Sequence, residues 1–189
     1  MAQTKLAGTW TYEDISSLPD HGRRYEIIEG ELYEMPSPGS AHPFVIAALI
    51  RLLIPLVENL GGRWCTAPVD VFIPGATPVQ PEILVILPGG PVQVVPRGIE
   101  GAPDLLIEIE VLSPSNRGHD LLTTRSLYAR AGVRESWLVD PDARTIEILT
   151  LDRDAFHLAA AASGIETLRS PLLGPLPARA NEHFVGIDS

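Results

Sequence analysis

The sequence predicts an α/β or α+β domain, with a mixed central sheet and helices packed against it. Three observations carry this expectation. The elements read in the order helix, hairpin, helix, strands, helix, strands. Residues 82–87 and 105–112 are apolar runs of strand length, the second apolar enough to be buried on both faces. At 189 residues, 45% hydrophobic and 20% charged, the chain suits one domain, residues 1–189, with a full core.

Along the chain, Thr11 reads as a helix cap, with Asp14 three residues on and Leu18-Pro19 closing a short helix. Tyr25, Ile27 and Leu32 then alternate with glutamates about a Glu29-Gly30 turn, which predicts an N-terminal β-hairpin. Residues 40–60 predict a helix, apolar nearly all round and so mostly buried. Pro55 is expected to kink or split it, and Gly61-Gly62 to end it. Residues 63–73 read as one or two strands, and 82–87 as a short, strongly apolar one. The Pro- and Gly-rich stretch 88–101 reads as a loop, with a small hairpin around 92–95. After strand 105–112, a helix over 119–131 ends at Gly132. Strands over 136–139 and 145–151 flank a Pro141-Asp142 turn, and weaker strand signals follow at 156–160 and 166–168. No internal repeat, low-complexity tract or linker is visible.

Composition narrows the function classes. The longest apolar stretch, 44–57, is interrupted by Arg51 and Pro55 and is too short and broken to span a bilayer. The N-terminus has no apolar signal-peptide core, so a cytoplasmic protein is expected. Cys65 is the only cysteine, which rules out an internal disulfide and a thiolate cluster; beside Trp64 it reads as a buried structural thiol. A formal net charge of -10 argues against a surface that grips nucleic acid non-specifically, although it permits a local basic groove. Lys5 is the only lysine. Neither the GxGxxG nor the Walker phosphate loop is present.

The chemistry concentrates in residues 103–120, PDLLIEIEVLSPSNRGHD. Side chains two apart on a strand share a face, so Glu108 and Glu110 lie side by side. They repel unless a cation sits between them, and buried carboxylates need such a partner. Glu82 opens its own strand, where its carboxylate can reach the end of a neighbour. Oxygen ligands of this kind suit Mg²⁺ or Mn²⁺. The plainer alternative is that Glu82 is a solvated strand-start residue and one of the other two faces water.

Several motifs, in order, resemble the Uma-two family of bacterial endonucleases with the PD-(D/E)xK restriction-endonuclease-like fold. They are the hairpin YEIIEGEL at 25–32, Met35-Pro36-Ser37-Pro38 with His42, Gln80-Pro81-Glu82, the 103–115 strand, the helix from Asp120 to Tyr128, and AGVRESWLVDP at 131–141. The resemblance implies a metal-dependent phosphodiester hydrolase acting on nucleic acid, expected to be DNA, with Mg²⁺ or Mn²⁺ as cofactor. It implies that Glu82 is one metal ligand and Glu110 the second. Counting forward from Pro103-Asp104 gives Glu108 instead; the strand holds two extra residues, and an even insertion keeps the same face. A hairpin glutamate, Glu26 or Glu31, completes the site or lies on an exposed hairpin face. No membrane partner is implied, and a homodimer suits an enzyme that cuts a duplex.

Two departures from the family pattern stand out. The first ligand is usually Asp, where this chain has Glu82. The family's lysine falls on Thr124. Its neighbour Arg125 stays protonated, so it stabilises phosphate charge without accepting a proton from water. Either Arg125 and metal suffice, or the chain is a catalytically weakened or inactive binding or regulatory module. Among other residues, His42 sits near the site or caps its helix, and His119 lies at the start of the Asp120 helix. Ser113, Asn116 and Asp120 read as a capping cluster, and Asp140 as a turn residue. Trp137 and Tyr128 read as core. Arg117, Arg125 and Arg130 line a groove or a solvated helix face.

Overall fold

The structure is a computed structural model, and it describes residues 4–6, 9–18, 24–28, 30–35, 39–72, 78–90, 92–100, 106–112 and 119–187. Strand β1 (Thr4–Leu6) is followed by helix α1 (Tyr12–Ser16) and the hairpin β2 (Arg24–Ile28) and β3 (Glu31–Met35). The helix starts as the sequence predicts. The Thr11 backbone N–H and hydroxyl donate to Asp14 Oδ2 at 2.7 and 2.8 Å, satisfying donors that a helix start leaves orphaned. The hairpin turns on Gly30, whose φ of +83° a side chain rarely tolerates. These strands form their own sheet, ordered β1-β3-β2, which pairs Lys5 with Tyr33.

Helix α2 (Ala41–Asn59) runs through Pro55 without a break. Pro55 and Arg51, whose i to i−4 bond it removes, both lie on the exposed side, where water can replace the missing partner. The expectation of a mostly buried helix is corrected. His42, Val45, Ala48, Leu49, Leu53 and Val57 are buried, a single stripe at helical spacing. Ile46, Ile50 and Leu56 are partly buried against the main core, and Phe44 is 54% exposed. By length and composition α2 could cross a membrane, but its stripe belongs to the main core.

The strands that follow build the central sheet. They are β4 (Arg63–Thr66), β6 (Ile83–Ile86), β9 (Leu106–Val111), β10 (Glu135–Asp140), β11 (Thr145–Asp152) and β12 (Ala155–Ser163), after a short β5 (Val71–Phe72). Their order is β12-β11-β10-β9-β6-β4. Within this sheet, among the described residues, only β9 and β10 pair in parallel, and α3 (His119–Ala131) is the crossover that parallel neighbours require. A hairpin of β7 (Gln93–Val95) and β8 (Gly98–Glu100) joins β5 in a small sheet. It is longer than the 92–95 feature expected from sequence. The chain closes with β13 (Thr167–Ser170), β14 (Gly174–Arg179) and a 3₁₀ helix (Ala180–Phe184).

Alternation along the strands divides the core. Ile83, Val85, Ile107, Ile109 and Val111 pack with α2 and with Leu168, Leu176 and Phe184 of the C-terminal segment. Leu84 and Ile86 face the other way, toward Tyr128 of α3 and Val133. The sheet is thus covered on both faces, and one helix from each side has access to the same β6–β9 seam.

Candidate active site

Strands β6 and β9 are antiparallel, with Ile83 opposite Ile109 and Leu84 opposite Glu108. Continuing that register by one residue sets Glu82 opposite Glu110. The ladder reaches that far on the other side as well, since the Ala67 N–H donates to the Glu82 carbonyl at 3.1 Å. Facing residues of an antiparallel pair have Cα atoms about 4.5–5.5 Å apart. The backbone positions of Glu82 and Glu110 are therefore neighbours at one end of the seam. By that register Glu110 stands opposite the Glu82 position, and Glu108 lies two pairs further along, opposite Leu84. The side chain of Glu108 is outside the described part of the structure.

Each of the two carboxylates meets a polar side chain from a different helix. His42, in the first turn of α2, brings Nε2 to 3.5 Å from Glu82 Oε1; the two side chains are 6% and 13% exposed. From the opposite face of the sheet, the Tyr128 hydroxyl of α3 donates to Glu110 Oε1 at 3.4 Å. The sequence placed His42 either near the site or as a cap, and the structure puts it beside Glu82. Tyr128, expected only as core, is core and site contact at once.

Among the described residues, no group of three or more His, Cys, Asp and Glu side chains gathers into a metal site. The pair Glu82 and Glu110 nonetheless suits a hard cation. Mg²⁺ keeps several waters and takes only one or two protein carboxylates.

The remaining expected residues are scattered by comparison. Glu31 lies in the three-stranded sheet, where it accepts from the Tyr33 hydroxyl at 2.8 Å. Arg125 is half-buried on α3, one turn before Tyr128 and Ala129, whereas Arg130 is exposed. Asp140 makes the expected turn, accepting from the Asp142 and Ala143 N–H groups at 2.9 Å each. Cys65 is half-buried, and burial raises its thiol pKa, the behaviour of an inert structural thiol. The side chains of Glu26, His119, Asp120 and Thr124, and the whole of Ser113, Asn116 and Arg117, lie outside the described residues.

Three polar centres were not foreseen. Asp70 accepts from the Tyr12 hydroxyl at 2.5 Å, a bond that raises the Tyr12 pKa, and from Gln80 Nε2 at 2.9 Å. Glu135 is fully buried and receives Trp137 Nε1–H at 2.9 Å, the Ser170 hydroxyl at 2.8 Å and the Leu172 N–H at 2.6 Å. His183 is fully buried with no hydrogen-bond partner on either ring nitrogen. The partners of the first two come from distant segments, so no local pattern marks them.

Comparison with known proteins follows the same lines. A crystal structure of "a putative nuclease belonging to DUF820" from Anabaena variabilis ATCC 29413 superposes with a TM-score of 0.67. It is 21% identical, and the alignment covers 93% of this chain and 97% of that one; at that identity the likeness establishes the fold. No curated protein matches the chain. The family Uma2, described as "Putative restriction endonuclease", matches residues 12–176, a span that includes α2, the β6–β9 seam and α3. On the strength of that match, the chain belongs to the Uma2 family of restriction-endonuclease-like proteins.

Proposed function

We propose that this chain is a metal-dependent phosphodiester hydrolase acting on nucleic acid, with DNA as the expected substrate. What supports the reading is the β6–β9 register, which continued by one residue sets Glu82 opposite Glu110, in a chain of the Uma2 family. Glu82 and Glu110 would hold Mg²⁺ or Mn²⁺, and Glu108 would be their neighbour along the strand. When bound, such a cation neutralises charge on a scissile phosphate and makes a coordinated water more acidic. The protein's own contributions are positional. The sheet fixes the two carboxylates, His42 supports Glu82, and Arg125 supplies a permanent positive charge for the phosphate oxygens.

The test is cleavage of plasmid and single-stranded DNA in Mg²⁺ and Mn²⁺ by the parent, Glu82→Ala and Glu110→Ala. Disturbing the supports of a metal ligand typically lowers activity about 10–100-fold, so loss of a ligand itself should exceed that. Variants that both cut as well as the parent refute the assignment.

One observation favours a second reading, a nuclease-fold module that binds without cutting. The family's lysine position is Thr124, and the sole lysine, Lys5, is in β1 paired with Tyr33. Mn²⁺ binding by calorimetry without cleavage supports the module. Cleavage gained by Thr124→Lys shows that the scaffold retains the rest of the machinery.

A further inference from the structure

We propose that Tyr128 is a positioning residue for Glu110, its hydroxyl holding the carboxylate in the attitude a divalent cation requires. The proposal rests on the reading of Glu82 and Glu110 as a cation site, and it concerns what keeps one of those ligands in place.

Tyr128 is 2% exposed and packs among Leu84, Ile86, Val71 and Val133. A phenol buried in apolar surroundings needs a partner for its O–H. Here the hydroxyl meets Glu110 Oε1, at a distance that is long for such a bond. The ring is anchored from behind. Tyr128 lies in the last turn of α3, and its carbonyl accepts the Val133 N–H at 3.0 Å while Ala129 accepts the Gly132 N–H at 3.0 Å. The helix end is therefore locked, and the hydroxyl has a fixed origin. β9, α3 and β10 form one continuous unit, so the same crossover that builds the sheet carries Tyr128 back over Glu110.

The chemistry of the support matters. An arginine or lysine on Glu110 would neutralise the carboxylate and compete with a cation. A phenol donates to one carboxylate oxygen without bringing a positive charge of its own. Outer-shell donors of this kind set ligand orientation, and their loss typically weakens metal affinity about 10–100-fold. The length of this bond places the expected effect at the lower end, about tenfold.

The experiment is Mn²⁺ calorimetry on the parent, Tyr128→Phe and Val133→Ala, with thermal unfolding of each in chelator. Tyr128→Phe keeps the packing and removes only the hydroxyl. It should bind Mn²⁺ about tenfold more weakly while melting near the parent. Val133→Ala loosens the same apolar cluster but keeps the hydroxyl; it should melt lower and bind Mn²⁺ as the parent does. If Tyr128→Phe binds Mn²⁺ with parental affinity, the positioning role is wrong and the cation site stands. The role is equally wrong if Val133→Ala weakens binding as much as Tyr128→Phe, because general loosening then accounts for both. A parent that takes up no Mn²⁺ overturns the cation site and this proposal together.

Discussion

His183 shows what a single buried polar side chain does when the fold gives it nothing to bond. It sits in the C-terminal 3₁₀ helix, fully buried, with both ring nitrogens unpartnered. Burial lowers its pKa from 6.5 to about 4; nearby Glu182 opposes the shift and Arg51 adds to it. The unfolded chain takes up this proton near pH 6.5, and the folded chain resists it until near pH 4. Stability is thus fully present above 6.5 and is lost as pH falls through that window. The shift corresponds to on the order of 3 kcal/mol. Urea denaturation of the parent should show that loss between pH 7 and 4, and His183→Leu should flatten it. Equal pH dependence in both chains would mean that His183 is not the group responsible. Glu135 is the opposite case, a buried carboxylate with every donor supplied. Trp137 lies two residues away, but Ser170 and Leu172 reach it from 35 and 37 residues along the chain. Neither residue announces itself in sequence, because partners at such separations leave no periodic signal.

At the scale of elements, the sequence was most readable where local geometry dominates. The Thr11 cap, the Gly30 turn and the limits of α3 all follow from adjacent residues. Along β9, Ile107, Ile109 and Val111 all join the main core, as alternation predicts, and the register with β6, continued by one residue, sets Glu110 opposite Glu82. Reading failed where a partner overrides propensity. β14 carries Pro175 and Pro177, which argue against a strand, yet β14 pairs only with β13, so one of its sides needs no ladder donors. In α2, composition could not tell which apolar residues would find a core. The β7–β8 hairpin depends on a close approach invisible in sequence. Gly98 has φ +146°, and a Cβ there would lie 2.2 Å from the Asp70 carbonyl oxygen. That oxygen also accepts the Ile99 N–H at 2.8 Å. Gly98→Ala should therefore destabilise the protein by about 1–3 kcal/mol or more, since backbone must move to admit a methyl group. Chemical denaturation measures this directly; a variant as stable as the parent would contradict the packing described.

Across the whole molecule, the main core does not end where the family match ends. The match stops at residue 176, but Ala180 and Phe184 belong to the same buried cluster as Val45, Leu49 and Ile109. A chain cut after residue 176 should lose cooperative unfolding, bind a hydrophobic dye and show weakened near-ultraviolet circular dichroism. Cooperative melting within a few degrees of the full chain would show that the last turn is dispensable. The same layout bears on how the protein is made. The stripe of α2 is made well before some of the residues that cover it, Ala180 and Phe184 among them. Until those residues emerge the stripe is only partly covered, by the central strands, and partly covered apolar surface is where nascent chains stick to one another or are held by chaperones. Yield in the cell should therefore follow how soon Phe184, once made, swings home.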